Sequence, residues 1–170
     1  RHDYMSNIYK VDDEWEFYIG ELYAKILSSL KFDINTVVEL APGFRYKVAY
    51  ALNKINFKGT IYVIDSSKEA CDYVFNKYSE ILKNAKVVCI NKKLNEAIKE
   101  LPTSIDLFLA NHPIDDMIIN EYINDNYSDA FLNNNDSKKV LLKKWQELAS
   151  DYFLLEKYKN ITYMNFIELF

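Results

Sequence analysis

Three segments of the sequence place polar or conformationally unusual residues directly after an apolar run. They are Glu39-Leu40-Ala41-Pro42-Gly43, Asp65, and Asn111-His112-Pro113-Ile114-Asp115-Asp116. A glycine lets a ligand approach the backbone closely, and a carboxylate at a strand end can bind the cis hydroxyls of a ribose. A histidine beside a carboxylate can act as a base near neutral pH. These residue types make the three segments candidates for ligand binding and chemistry.

Each candidate also has a purely structural interpretation. The segment 39–43 could be an ordinary strand-to-helix turn, and Asp65 could cap the helix that begins after Ser66 and Ser67. Asn91, which follows another apolar run, could contact a ligand or simply end a strand. His112 could be a packed loop residue, with the two aspartates after it capping the next helix. His112 together with Asp115 and Asp116 provides too few ligands for a metal site.

The glycine count restricts the kinds of phosphate site that this chain can form. The chain has only three glycines in 170 residues, at positions 20, 43 and 59, where average usage would give about twelve. Neither a Walker loop nor a GxGxxG loop can be assembled from them. Nicotinamide-dependent redox chemistry is therefore disfavoured, although nicotinamide-binding domains also have an acid at the place in the fold that Asp65 would occupy.

Charge and hydropathy narrow the class of protein further. The net charge is −4, which argues against a general binder of polyanions. A lysine cluster at 138, 139, 143 and 144 is interpreted as a solvated helix face, so nucleic-acid binding is not expected. Two cysteines form no disulfide framework. No apolar run reaches the roughly 18 residues of a membrane span. We expect a cytoplasmic protein with no membrane contact.

Four apolar runs alternate with helical patterns along the first two thirds of the chain. The predicted strands are 36–40, 60–65, 86–90 and 104–110. The predicted helices are 12–31, 44–56, a helix that follows the caps Ser66 and Ser67 and ends near Lys83, and 94–101. Such alternation is typical of βαβ units with a parallel sheet. The sequence therefore predicts an α/β fold: a three-layer α/β/α sandwich with a mostly parallel, Rossmann-like sheet. The first helix carries an apolar stripe of Trp15, Ile19, Leu22, Ile26 and Leu30.

The last third of the chain has a weaker pattern. Residues 114–131 and 137–158 are predicted as helices, a loop surrounds Asn133, and 161–170 is predicted as a fifth strand. No linker divides the sequence, so we expect a single domain over 1–170. Its parts are an N-terminal cap and helix (1–31), a cofactor-binding core (36–113), and a helical segment with the last strand (114–170).

Residues 12–116 resemble the class I S-adenosylmethionine-dependent methyltransferases. Glu39-Leu40-Ala41-Pro42-Gly43 looks like the first motif of that family, and Asp65 matches its ribose-binding acid. Asn91 lies where the family often has a side chain near the adenine amine. Asn111-His112-Pro113 is similar to the Asn-Pro-Pro-aromatic element of amino-methylating members. Arg45 stands where the family motif has a glycine, and could face solvent or the cofactor carboxylate.

The resemblance implies a set of functional residues. S-Adenosylmethionine would contact Glu39, Ala41, Pro42, Gly43, Asp65, Ser66, Asn91 and Asn111. Tyr4, Met5 and Tyr9 precede the first helix, where some family members fold a segment over the cofactor, but simple packing is the favoured interpretation of the tyrosines. Asn111 would orient the methyl acceptor, a small molecule or protein, and His112 would be the base. The family's sheet usually has seven strands, so this one is expected to be truncated. The unfinished edge favours an alternative, a non-catalytic subunit or binding module that forms a homodimer or binds a partner subunit.

Overall fold

The computed structural model describes the backbone of residues 2–111, 113–126 and 137–167, and the side chains of 13–111, 113–115, 117–123 and 141–167. The chain divides into two compact units, 1–111 and 112–170. In chain order the elements are α1 (His2–Ser28), β1 (Thr36–Leu40), α2 (Lys47–Lys54), β2 (Thr60–Ile64), α3 (Lys68–Ile81), β3 (Lys86–Ile90), α4 (Leu94–Ala97) with a 3₁₀ turn (Ile98–Glu100), β4 (Leu107–Ala110), α5 (Pro113–Asn126), α6 (Ser137–Ser150) and α7 (Tyr152–Ile167).

The first unit contains a parallel sheet with the strand order β3-β2-β1-β4. The connections β1-α2-β2 and β2-α3-β3 both proceed in the same direction across the sheet. The connection β3-α4-β4 then crosses back over β2 and β1 and places β4 on the other side of β1. Right-handed crossovers then place α2 and α3 on one face of the sheet and α4 on the other. The predicted α/β class with a Rossmann-like, truncated sheet is confirmed. The strand order reverses between β1 and β4, where such sheets bind their ligands.

Alternate strand residues face the layer formed by α1, α2 and α3. Val37, Ile61 and Val63 are inaccessible to solvent and belong to one apolar cluster with residues from all three helices. Because side chains alternate across a strand, Glu39 and Asp65, two residues after Val37 and Val63, are directed to the same face of the sheet as these valines. An acidic side chain at position 39 must therefore enter an apolar layer.

Helix α1 does not pack through its apolar stripe. Among its described side chains (13–28), the buried positions are Glu16, Gly20, Ala24 and Leu27, whereas Trp15, Leu22 and Ile26 of the predicted stripe are exposed. A Cβ on Gly20 would come within 2.6 Å of the Tyr50 Cβ and 2.8 Å of the Lys47 carbonyl oxygen. The packed face is therefore selected by close approach to α2, which small residues permit.

Two elements of the first unit begin later than predicted. Helix α2 starts at Lys47 because residues 42–45 form a turn, in which the Arg45 N–H donates to the Pro42 carbonyl at 3.1 Å. Strand β4 starts at Leu107. Just before it, the Asp106 carboxylate accepts the N–H groups of Asn35 and Thr36, both at 2.8 Å. The Asp106 side chain thus adds to the backbone pairing at this end of the sheet, where the Asp106 N–H also donates to the Thr36 carbonyl at 3.0 Å.

The second unit is helical in its described part, and the predicted fifth strand is wrong. Residues 152–167 form helix α7, which buries Tyr158 and Thr162. The long helix predicted over 137–158 is interrupted at Asp151, whose carboxylate accepts the Leu154 N–H at 3.0 Å. Asp151 therefore caps a new helix. Helices α5, α6 and α7 share a core around Ile119, Leu148 and Tyr158.

Several sequence predictions concern residues outside the described part of the chain. They are His112, the loop at Asn133, and the side chains of Tyr4, Met5, Tyr9, Asp116, Lys138 and Lys139. Of the lysine cluster, Lys143 is exposed, but Lys144 is buried and pairs with Glu147 at 2.6 Å. Within the described residues, no helix is both long and apolar enough to span a membrane.

Candidate functional site

The loop between β1 and α2 forms a left-handed turn at the carboxyl edge of the sheet. Ala41 has φ of 45° and Gly43 has φ of 61°. The Ala41 N–H donates to the Ile64 carbonyl at 2.8 Å, which ties the loop to the end of β2. A Cβ built on Gly43 would meet no heavy atom within 4 Å. The loop therefore presents bare backbone and open space at this edge.

Asp65 organises the strand ends next to this loop. Its carboxylate accepts the Gly43 N–H at 2.9 Å and the Ser67 N–H at 2.8 Å, while its carbonyl accepts the Asn91 side-chain amide at 3.0 Å. The three strand ends β1, β2 and β3 are thus joined through one residue. Burial raises the pKa of Asp65, and its two backbone hydrogen bonds counteract this rise.

A small cavity lies at the point where the strand order reverses. Its volume is about 120 Å³, and its lining comprises Tyr23, Ile26, Leu27, Glu39, Val48, Leu109, Ala110 and Asn111. The Tyr23 hydroxyl donates to Asn111 Oδ1 at 2.9 Å. The cavity thus combines apolar walls with a carboxyl, a phenol and an amide.

Glu39 is an acid in an apolar layer, with an exposed fraction of 3%. Burial raises the pKa of Glu39 to about 8. The Tyr78 hydroxyl, which donates to Glu39 Oε2, and the nearby Lys47 oppose this rise, while the Glu16 and Asp65 carboxylates add to it. At neutral pH the Glu39 carboxyl is therefore mostly protonated, and it can exchange a proton close to neutrality.

Glu16 is a buried acid that the sequence analysis missed. Its carboxylate has an exposed fraction of 0% and accepts the N–H groups of Tyr46 and Lys47, each at 2.7 Å. Arg45 adds an ion pair at 3.0 Å. The expected alternatives for Arg45 were solvent or a cofactor carboxylate; its side chain is 43% exposed and pairs with the Glu16 carboxylate. The first turn of α2 contains no acid of its own.

The structure groups the predicted site residues in two clusters. Gly43 and Asn91 each donate a hydrogen bond to Asp65, and we call the three residues the Asp65 cluster. Glu39 and Asn111 line the cavity. Ala41 and Pro42 lie in the loop between the two clusters. Ser66 is exposed and makes no hydrogen bond to the Asp65 carboxylate. Its neighbour Ser67 donates its N–H to that carboxylate and caps α3.

Tyr23 and Tyr78 are further site residues that the sequence analysis did not single out. Both contact predicted residues through their hydroxyl groups, Tyr23 with Asn111 and Tyr78 with Glu39. Fourteen tyrosines are present in the chain, so composition could not distinguish these two. The usable signal for Tyr78 is its spacing of four residues from Val74 and eight from Ala70, which places the three on one face of α3.

The fold and the site together define a parallel, Rossmann-like α/β domain with a polar site at the carboxyl edge of its strands. The sequence matches no known family model and no curated protein. Among the described residues, no group of three or more His, Cys, Asp or Glu side chains could hold a metal ion. The geometry of the site therefore carries the functional argument.

Proposed function

We propose that the chain is an S-adenosylmethionine-dependent methyltransferase whose cofactor lies over the β1–α2 loop. The observation that carries this proposal is the Asp65 cluster. A left-handed Gly43 loop, a carboxylate at the end of β2 and an amide at the end of β3 occur together at one edge of the sheet. These are the groups that a nucleoside without phosphates requires: bare backbone, acceptors for ribose hydroxyls and a polar side chain near the base.

The residues present fit this cofactor. A carboxylate offers about four acceptor positions, and Asp65 uses two of them for backbone N–H groups. Two positions therefore stay available for the cis hydroxyls of a ribose. The open space over Gly43 admits a ligand against the backbone. When bound, the cofactor would supply an electrophilic methyl group for in-line displacement.

The cavity is the proposed position of the methyl acceptor. Its volume of about 120 Å³ is below the roughly 300–1,000 Å³ of usual ligand pockets, so it takes only a compact reacting group. Asn111 uses its Oδ1 for Tyr23, which leaves its NH₂ group to orient the acceptor. Glu39 lines the same cavity. Its ionised fraction, which grows as the pH approaches 8, can accept a proton from a hydroxyl or amine. This chain's main contribution to catalysis is therefore positioning.

Asp65→Asn is expected to weaken binding of S-adenosylhomocysteine by about 10- to 100-fold. The substitution removes the charge and replaces an acceptor oxygen with a donor that opposes a backbone N–H. Titration calorimetry on folded protein measures the affinity. Asp72→Asn is the matched control, because Asp72 is an exposed carboxylate on α3 that pairs with Lys68 at the protein surface. Absence of binding to the wild type at high micromolar ligand would refute the proposed function.

Gly43→Ala is expected to lower affinity for the same ligand by about tenfold or more, because its methyl group enters the open space over the loop. The left-handed backbone adds a stability cost of about 1–2 kcal/mol. Asn56→Ala is the control, since Asn56 has φ of 57° but lies before β2, at the opposite edge of the sheet. Equal binding by the two variants would show that the space over Gly43 is not used.

The second candidate function is a non-catalytic binding module on the same fold. The small size of the cavity favours it, since ligand pockets usually measure about 300–1,000 Å³. The two functions are separated with methyl-labelled S-adenosylmethionine and an extract fractionated into small molecules and proteins. Labelled product in either fraction supports the enzyme. Tight cofactor binding without label transfer supports the module.

A further inference from the structure

We propose that Glu16 is a specificity-determining residue that reserves the N-terminus of α2 and thereby excludes phosphorylated ligands from the site. In dinucleotide-binding folds, the helix after the first strand holds the pyrophosphate at its N-terminus. Here α2 occupies that place in the fold. The anion position at the N-terminus of α2 is already occupied by the Glu16 carboxylate of the same chain.

The contacts of Glu16 are those that an oxyanion ligand would make. Oε2 accepts two successive backbone N–H groups, from Tyr46 and Lys47, and Oε1 pairs with the Arg45 guanidinium. The helix dipole favours a negative charge at this end. Because the side chain is wholly inaccessible to solvent, a phosphate could reach these donors only by displacing Glu16.

Displacement would leave two negative groups competing for one set of donors. The Glu16 carboxylate would have to move into the apolar layer between α1 and α2 or stay beside the incoming phosphate. Both arrangements are unfavourable, since buried charges need partners and like charges repel. The Glu16 contact therefore selects ligands that bring no phosphate to the β1–α2 loop.

The same residue explains how the β1–α2 loop can function with one glycine. A phosphate-binding loop needs several glycines so that its backbone can wrap around the anion. The loop 41–46 contains one glycine, Gly43. The Gly43 N–H already donates to the Asp65 carboxylate. The anion at the N-terminus of α2 is the Glu16 carboxylate of α1. The loop therefore does not have to enclose a bound anion.

The test is to remove the Glu16 carboxylate and supply an inorganic oxyanion. Glu16→Ala leaves the N–H groups of Tyr46 and Lys47 and the Arg45 guanidinium without that partner. Adding phosphate, in place of chloride at equal ionic strength, is expected to raise the melting temperature of this variant by about 3 °C. The amide NMR signals of Tyr46 and Lys47 are expected to shift during the titration. The wild type should show neither effect.

Glu21→Ala is the matched control on the same helix. Glu21 pairs with Lys54 at 3.0 Å through side chains alone, so its removal creates no position for an anion. If Glu16→Ala is unfolded in chloride, recovery of its helical circular dichroism in phosphate supports the inference. Failure to recover, or equal phosphate effects in the Glu16 and Glu21 variants, overturns it.

The ligand-selecting part of the inference rests on the proposed function and has its own test. The affinity for adenosine diphosphate relative to adenosine is expected to rise about tenfold or more in Glu16→Ala compared with the wild type. An unchanged ratio would overturn the role of Glu16 in specificity. Failure of the proposed function would instead appear as absent binding of S-adenosylhomocysteine to the wild type, while the inorganic phosphate result would still hold.

Discussion

Glu39→Gln is expected to be more stable than the wild type at pH 8, by roughly 3 kcal/mol or more. Near pH 5 the two proteins should differ by only about 1 kcal/mol. Glutamine keeps a carbonyl oxygen for the Tyr78 hydroxyl and has no proton to lose. The variant therefore avoids the cost of ionising a buried acid.

The sign of this effect follows from the pKa of Glu39 in the two states. Burial raises the pKa of Glu39 from 4.5 to about 8 in the folded protein. Between these values the folded state keeps a proton that the unfolded state has released, so stability decreases as the pH rises. This contribution is complete below pH 4.5 and is lost as the pH passes 8.

Urea denaturation at pH 5, 6, 7 and 8 measures the difference between Glu39→Gln and the wild type. Glu14→Gln is the control because Glu14 is an exposed acid on α1, and its stability should follow that of the wild type. Parallel pH profiles for the Glu39 variant and the wild type would mean that Glu39 is ionised in the fold. The proposed proton acceptor in the cavity would then have an ordinary pKa.

Gly59→Ala is expected to destabilise the first unit by about 3 kcal/mol or more. A Cβ on Gly59 would lie 1.9 Å from the Asn35 carbonyl oxygen and 2.8 Å from the Asn35 Cα. That oxygen accepts the Thr60 N–H, and the Gly59 carbonyl accepts the Lys86 N–H. Relief of the overlap must therefore disturb hydrogen bonds at the start of three strands.

The control for this substitution is Gly43→Ala, in which a Cβ meets no heavy atom within 4 Å. Its cost comes only from the left-handed backbone and amounts to about 1–2 kcal/mol. Chemical denaturation of both variants in one buffer at pH 6 gives the comparison. Equal stabilities would show that the strand starts yield to the Gly59 methyl group without loss of pairing.

Each of the three glycines has a physical reason for its position. Gly20 permits the close crossing of α1 and α2, Gly43 adopts a left-handed conformation, and Gly59 lies against the Asn35 backbone. Only Gly43 could be interpreted from its sequence neighbours, since it follows an apolar run and a proline. The other two are required by residues about 30 and 24 positions away, which local patterns do not reveal.

The candidate site was predictable where it depends on strand ends. Glu39, Asp65, Asn91 and Asn111 lie at or next to the ends of apolar runs, and parallel strands bring their carboxyl ends to one edge. The structure places Asp65 with Asn91, and Glu39 with Asn111. Their partners were not predictable, because helix residues such as Tyr23 are assigned to a strand end only by packing.

The sequence by itself determined the class of fold. Continuous apolar runs alternating with helical periodicity are local signals, and right-handed crossovers leave few arrangements for such units. Tertiary structure alone decided what the polar groups do. Glu16 reaches the N–H groups of Tyr46 and Lys47 because Gly20 lets α1 approach α2. Glu39 gains a raised pKa because its strand parity turns it into an apolar layer. The Glu16 contacts join distant residues, so no local pattern encodes them. The parity of Glu39 is local, but the helices that make its side of the sheet an apolar layer come from elsewhere in the chain.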